Sequence, residues 1–114
     1  MISKKLLEKV LKCKKIKFID LEFDNTLVIL YHTGVIDTTK INIYELAHKC
    51  KEWAYHTGHL LSVHMRGDLI KNTDKHFYVA KCGIARATTG YGDTEPEAIF
   101  KACEWILKQK EEQK

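Results

Sequence analysis

A chain of 114 residues, 45% hydrophobic and 30% charged, with one proline and six glycines, has room for one core and little for linkers or disorder. Its formal charge of +4 is unevenly placed: residues 1–17 carry seven lysines against Glu8, a balance of +6, and the remainder sums to −2. No apolar run approaches the ~20 residues of a membrane span. Met1-Ile2-Ser3-Lys4-Lys5 lacks the apolar stretch of a secretory leader, so the expectation is a cytoplasmic protein with no membrane partner.

Ser3 has the chemistry of a helix N-cap, with Ile2 placed to staple onto Leu7. Leu6, Leu7, Val10 and Leu11 follow as one apolar stripe. Lys4 and Lys5 stand in the first turn, where positive charge opposes the helix dipole, so this helix must rely on docking. From Ile16 to Phe23 the chain alternates, but Ile16 and Phe18 are out of phase with Ile19, Leu21 and Phe23. A slip of one residue predicts a β-bulge. Asp24-Asn25 is a turn, Thr26 to Tyr31 a second strand, His32-Thr33-Gly34 a turn, and Val35 to Lys40 a third strand.

Asn42 opens a second helix, with Glu45 in a box-like position. Ile43, Leu46, Ala47, Cys50, Trp53 and Ala54 make its apolar stripe, and Gly58 is placed to end it. Leu60 to Arg66 alternates with Leu61, Val63 and Met65 on one face, and Gly67 to Asp74 is a polar loop. His76 to Cys82 and Ile84 to Thr89 read as a hairpin about Cys82-Gly83. Gly90-Tyr91-Gly92 reads as a turn, then Thr94 as an N-cap with Pro96 in the first turn and Glu97 at the third position. Ile99, Ala102, Cys103, Ile106 and Leu107 form the last stripe.

The fold class expected is therefore α+β: helix, three strands, helix, three strands, helix, with antiparallel meanders packed by helices. One domain, 1–114, is expected, made of an α-β-β-β unit (1–40) and an α-β-β-β-α unit (41–110). If Lys81 faces Ile84 in the hairpin, Phe77, Val79, Ile84 and Arg86 share one face, and Tyr78, Ala80, Ala85 and Ala87 the other. The alanines suit close helix approach. Phe77, Val79, Ile84 and Arg86 then form a candidate protein interface, covered by the N-terminal half or by another subunit, as in a homo-oligomer.

No reaction is spelled out. Cys13, Cys50, Cys82 and Cys103 are scattered singly and read as buried thiols. His32, His48, His56, His59, His64 and His76 include one close pair, His56 and His59, without a third ligand nearby, so no metal and no cofactor is expected. Asp20, Glu22 and Asp24 alternate as an outward strand face, and no phosphate loop, nucleophile elbow or Cys-His pairing is present. The expectation is a protein that is not an enzyme. Lys5, Lys9, Lys12, Lys14, Lys15 and Lys17 are the candidate contacts for nucleic acid or an acidic partner, against a plainer reading as a solvated lysine face.

From Asn42 onward the order of elements resembles the topology of the double-stranded-RNA-binding domain. That family grips phosphates with lysines at the start of its last helix; here Asp93-Thr94-Glu95-Pro96-Glu97 is acidic, and the Gly67 to Asp74 loop lacks the family's Gly-Pro-x-His element. A second resemblance lies in residues. Ile43-Tyr44-Glu45-Leu46-Ala47-His48-Lys49-Cys50-Lys51-Glu52-Trp53-Ala54 and Asp93-Thr94-Glu95-Pro96-Glu97-Ala98-Ile99-Phe100-Lys101-Ala102-Cys103 look like small phage and prophage proteins. The second string is similar to the final helix of the phage α-β-α sandwich domain, and the likeness spans about 42–109. It implies a phage-derived intracellular protein and brings no known activity or catalytic residues. The missing catalytic constellation, the single compact domain and the apolar sheet face in need of cover lead separately to the expectation of a protein that recognises a host or phage protein, with inhibition of a host protein as one effect. A nucleic-acid-binding accessory protein using the basic first helix is the alternative.

Overall fold

The computed structural model describes residues 2–12, 16–22, 24–32, 36–67, 76–83 and 87–112. Cys13, Lys14, Lys15, Phe23, Ile84, Ala85 and Arg86 fall outside them, as does most of the Gly67 to Asp74 loop. The elements are α1 (Lys4–Leu11), β1 (Ile16–Leu21), β2 (Thr26–His32), β3 (Ile36–Asn42), α2 (Ile43–His56), β4 (Leu61–Gly67), β5 (His76–Cys82), β6 (Ala87–Gly92) and α3 (Glu95–Glu112). This is the α+β order that the sequence predicts. The strands form two antiparallel sheets, β1-β2-β3 and β4-β5-β6, that share no ladder.

The helix ends that the sequence marks, at Ser3, Asn42, Gly58 and Thr94, carry the expected chemistry. The Ser3 hydroxyl accepts from the Leu6 N–H at 3.2 Å, and Ile2 and Leu7 are both buried. The Asn42 side chain accepts from the Tyr44 N–H at 2.8 Å. Helix α2 closes on Gly58, with φ +93°: the His59 N–H reaches the Ala54 carbonyl at 2.8 Å and the Gly58 N–H the Tyr55 carbonyl at 3.0 Å. Those two bonds are the Schellman pattern, which needs the left-handed residue that glycine supplies. At α3, the Glu97 N–H donates to the Thr94 hydroxyl at 3.3 Å and the Glu97 carboxylate accepts from the Asp93 N–H at 3.1 Å.

The helices join what the ladders leave separate. Helix α2 touches both β3 and β4, α1 touches β1, α2 and α3, and α3 lies along β4, β5 and β6. One apolar cluster runs through all of them, from Ile2, Leu6 and Leu7 through Leu27, Ile29 and Ile41 to Leu46, Cys50, Ala80, Cys103 and Ile106. Helix α1 is tied to α3 at its start, where the Ser3 N–H donates to Glu104 at 2.8 Å. The Glu8 carboxylate accepts from the Ile16 N–H at 3.2 Å and so seats the first residue of β1. The docking that a helix with an unfavourable first turn requires is thereby provided.

The molecule measures 56 × 38 × 18 Å, with a radius of gyration of 15.4 Å. A rounded domain of this length would have about 13 Å. The 18 Å axis holds one layer of helices on one layer of sheet and nothing more.

The closest packing lies between β6 and α3. A Cβ at Gly90 would run into the Ala98 carbonyl oxygen and stand 2.7 Å from the Ala102 nitrogen. One at Gly92 would stand 2.7 Å from the Ala98 nitrogen. The expected turn at Gly90-Tyr91-Gly92 is therefore the end of a strand, and its glycines serve the approach of a helix backbone. Register differs as well: Lys81 pairs with Thr88, not Ile84, and Ala80 with Gly90, leaving Thr89 as an extra residue in β6.

Gly90→Ala should cost about 1–3 kcal/mol or more in chemical denaturation, because helix backbone must move. Gly83→Ala, with φ +69° and open space around it, should cost about 1 kcal/mol through conformation alone. The Asp93 N–H, and after it Lys101, holds the Glu97 carboxyl below its ordinary value. A depressed carboxyl stabilises the fold above its unfolded pKa and ceases to as pH falls through the folded value. Glu97→Gln should therefore lose about 0.5 kcal/mol near neutral pH, the side chain being exposed and screened. Denaturation midpoints of the two proteins should converge at acidic pH.

Candidate functional site

In β4-β5-β6 the register puts Leu61, Val63, Tyr78, Ala80, Cys82, Gly90 and Gly92 towards the helices. Ser62, His64, Arg66, Phe77, Val79, Lys81 and Tyr91 take the opposite face. Among the described residues no helix covers that face. Val79 is nonetheless only 4% exposed, set between His64 and Tyr91 in the ladder and close to Phe77. Phe77 and Tyr91 are 41% and 56% exposed, their ring centroids 6.3 Å apart and tilted by 42°. Val79 is the floor, the two rings are the rim, and Arg66 and Lys81 add positive charge at the sides.

The expected sharing of a face by Phe77 and Val79 is what the strand geometry gives, while Ile84 and Arg86 lie outside the described residues. Tyr91, His64 and Lys81 are additions. The signal for Tyr91 was hidden by its flanking glycines. The extra residue Thr89 shifts the phase of β6 by one, turning Gly90 and Gly92 to α3 and Tyr91 outward.

The same device recurs in β1-β2-β3. Ile16 pairs with Tyr31 and Phe18 with Leu30, so Lys17 is an extra residue in β1. This is the bulge that the phase slip predicts. Ile16 and Ile19 then both serve the core, and Phe18 is thrown outward, 57% exposed, beside Leu30 and Val28. Each sheet carries an aromatic on its open face because of a one-residue insertion.

The described lysines of the basic N-terminus have different surroundings. Lys5 is ion-paired with Glu111 of α3, and the Lys4 ammonium donates to the Lys17 carbonyl at 2.9 Å. Lys14 and Lys15 lie outside the described residues. Lys9 and Lys12 come together at the edge of a cleft between α1 and α2, about 470 Å³, where Lys49, Glu52, Trp53 and His56 complete the lining.

Among the described residues no three His, Cys, Asp or Glu side chains converge as metal ligands. No buried side-chain polar atom among them lacks a partner. Cys50, Cys82 and Cys103 are free, buried thiols, as the sequence predicts. Cys103 donates to the Cys50 carbonyl at 3.5 Å. The hydrogen bond with Cys103, and then burial, push the Cys50 thiol far up, and burial raises Cys82. Neither supplies a thiolate near neutral pH. What the arrangement offers is contact: an aromatic sheet face and a basic cleft.

The aromatic face predicts a measurable coupling. A double-mutant cycle on Phe77→Ala and Tyr91→Ala, read by chemical denaturation, should return about 0.2–1 kcal/mol for this diagonal pair. A zero coupling would mean that the rings do not share Val79 as a floor.

No family model, curated protein or solved structure matches this chain.

Proposed function

We propose that this is a non-enzymatic, phage-type protein that binds another protein through the open face of β4-β5-β6. The observation that carries the reading is the seating of Val79. A nearly buried aliphatic floor between two half-exposed rings, flanked by arginine and lysine, has the composition of a binding hot spot rather than of a solvated strand. Phe77 and Tyr91 are the anchors. Arg66 and Lys81 select a partner patch with an acidic border. Blocking a host protein by covering it is the effect that fits a thin plate with an open aromatic face.

The test is affinity capture from the natural host with the intact chain, followed by titration of the recovered partner. Phe77→Ala and Tyr91→Ala should each weaken binding by about 2 kcal/mol or more, roughly 30-fold in Kd. Substitution at Phe18, on the other sheet, should leave Kd unchanged. A partner whose affinity is indifferent to both rings but lost at Phe18 would move the interface to the first sheet and refute this assignment.

A further inference from the structure

We infer that the cleft between α1 and α2 binds a nucleotide, its base against Trp53 and its phosphate among Lys9, Lys12 and Lys49. The cleft lies on the helix side of the plate, so the inference stands apart from protein binding at the sheet face.

Three features of the cleft point to a phosphorylated ligand with a flat ring. Lysines from two different helices are brought to one opening, Lys9 and Lys12 from the end of α1 and Lys49 from α2. All three are exposed, so water screens their repulsion, and together they make the opening electropositive, which favours an anion there. The one acidic side chain in the lining, Glu52, is turned to His48, whose Nε2 lies 2.8 Å from its carboxylate.

The wall supplies the second feature. Trp53 is half-buried, with Val10 and Leu11 beside it, and the Lys110 ammonium of α3 stands 6.0 Å from its ring centroid. Lys110 stands over the ring from outside the cleft lining, so the cations that share the cleft with the indole are Lys9, Lys12 and Lys49. An aromatic wall beside lysines is the pairing of stacking surface and phosphate contacts that holds single-stranded nucleic acid. A volume near 470 Å³ falls within the range of small-ligand sites and suits one nucleotide unit.

The third feature is backbone. Lys12 caps α1 in the left-handed region, φ 57° and ψ 29°, where glycine or asparagine is the less strained choice. A lysine held there places a charge at the cleft mouth at a conformational cost.

A free nucleotide and one unit of a single strand offer the same chemistry, and two arms of one titration separate them. Trp53 fluorescence is followed in a Trp105→Phe background, so that one indole reports, with ATP in one arm and a short oligothymidylate in the other. Quenching saturable by either ligand supports the site. The tighter ligand identifies the source, the oligonucleotide if strands are bound and ATP if free nucleotides are.

Lys9→Gln and Lys49→Gln should each lower affinity several-fold at low salt and reduce the slope of log K against log salt by about 1. Lys12→Gly should weaken binding while its thermal midpoint is no lower than that of the parent, separating loss of the ligand contact from loss of the fold. Lys40→Gln, away from the cleft, should bind as the parent does. Absence of quenching by either ligand up to about 1 mM would overturn the inference. Affinity unchanged by the three lysine substitutions would do the same.

Discussion

Helix α3 can lie directly on β6 only because Gly90 and Gly92 have no side chains where its backbone passes. Cβ atoms there would meet the backbone of Ala98 and Ala102, so nothing larger than hydrogen fits. The rest of the architecture hangs on this contact. Once α3 is seated, Ile99, Cys103 and Ile106 are buried, α2 packs beside it through Cys50, and α1 is held by Glu104 and Glu111. The contact also fixes phase: with both glycines turned to the helix, Tyr91 between them has no direction but outward. A packing requirement on one side of the sheet thus creates the aromatic surface on the other.

Helices were the most legible part of the sequence, because each announced its stripe and its start, and α2 its end as well. Ser3, Asn42, Gly58 and Thr94 do the capping that their side chains suggest. The bulge in β1 was legible too, since a break in alternation is local information. The last strand was not. Glycine is depleted in strands, and Gly90-Tyr91-Gly92 reads as a turn until the helix above it is known. The Lys81 register failed for the same reason: the extra residue Thr89 is invisible without its partner strand. Of the open face, Phe77 and Val79 could be placed by alternation within β5, while Tyr91 depended on the missed bulge.

The basic N-terminus shows how far a local count of charge can mislead. Its balance of +6 suggests one electrostatic face, yet part of that charge does structural work. Lys5 meets Glu111, Lys4 meets a backbone carbonyl, and Glu8 is spent on seating β1. Lys9 and Lys12 line the opening of a cleft, and the groups that join them there come from α2. Lys49 and His56 are more than thirty residues away in sequence, and Trp53 reads simply as part of an apolar stripe. Only the docking of α1 on α2 turns these residues into neighbours, so helical periodicity could show one wall of the cleft and not the other.

The bulges also bear on which surfaces are open to a partner. Two separate three-stranded sheets present four edge strands, β1, β3, β4 and β6, each able in principle to pair with a foreign strand. Strands β1 and β6 each carry an inserted residue, which breaks the ladder and twists the edge away. Strands β3 and β4 lie against α2, and β3 shows Lys40 and Thr38 to solvent. The same insertions that spoil an edge for strand addition set Phe18 and Tyr91 on the open faces. Recognition through side chains on a face, rather than through backbone at an edge, is therefore the mode that this pattern of insertions favours, and it explains why a plate only 18 Å thick leaves its aromatics uncovered.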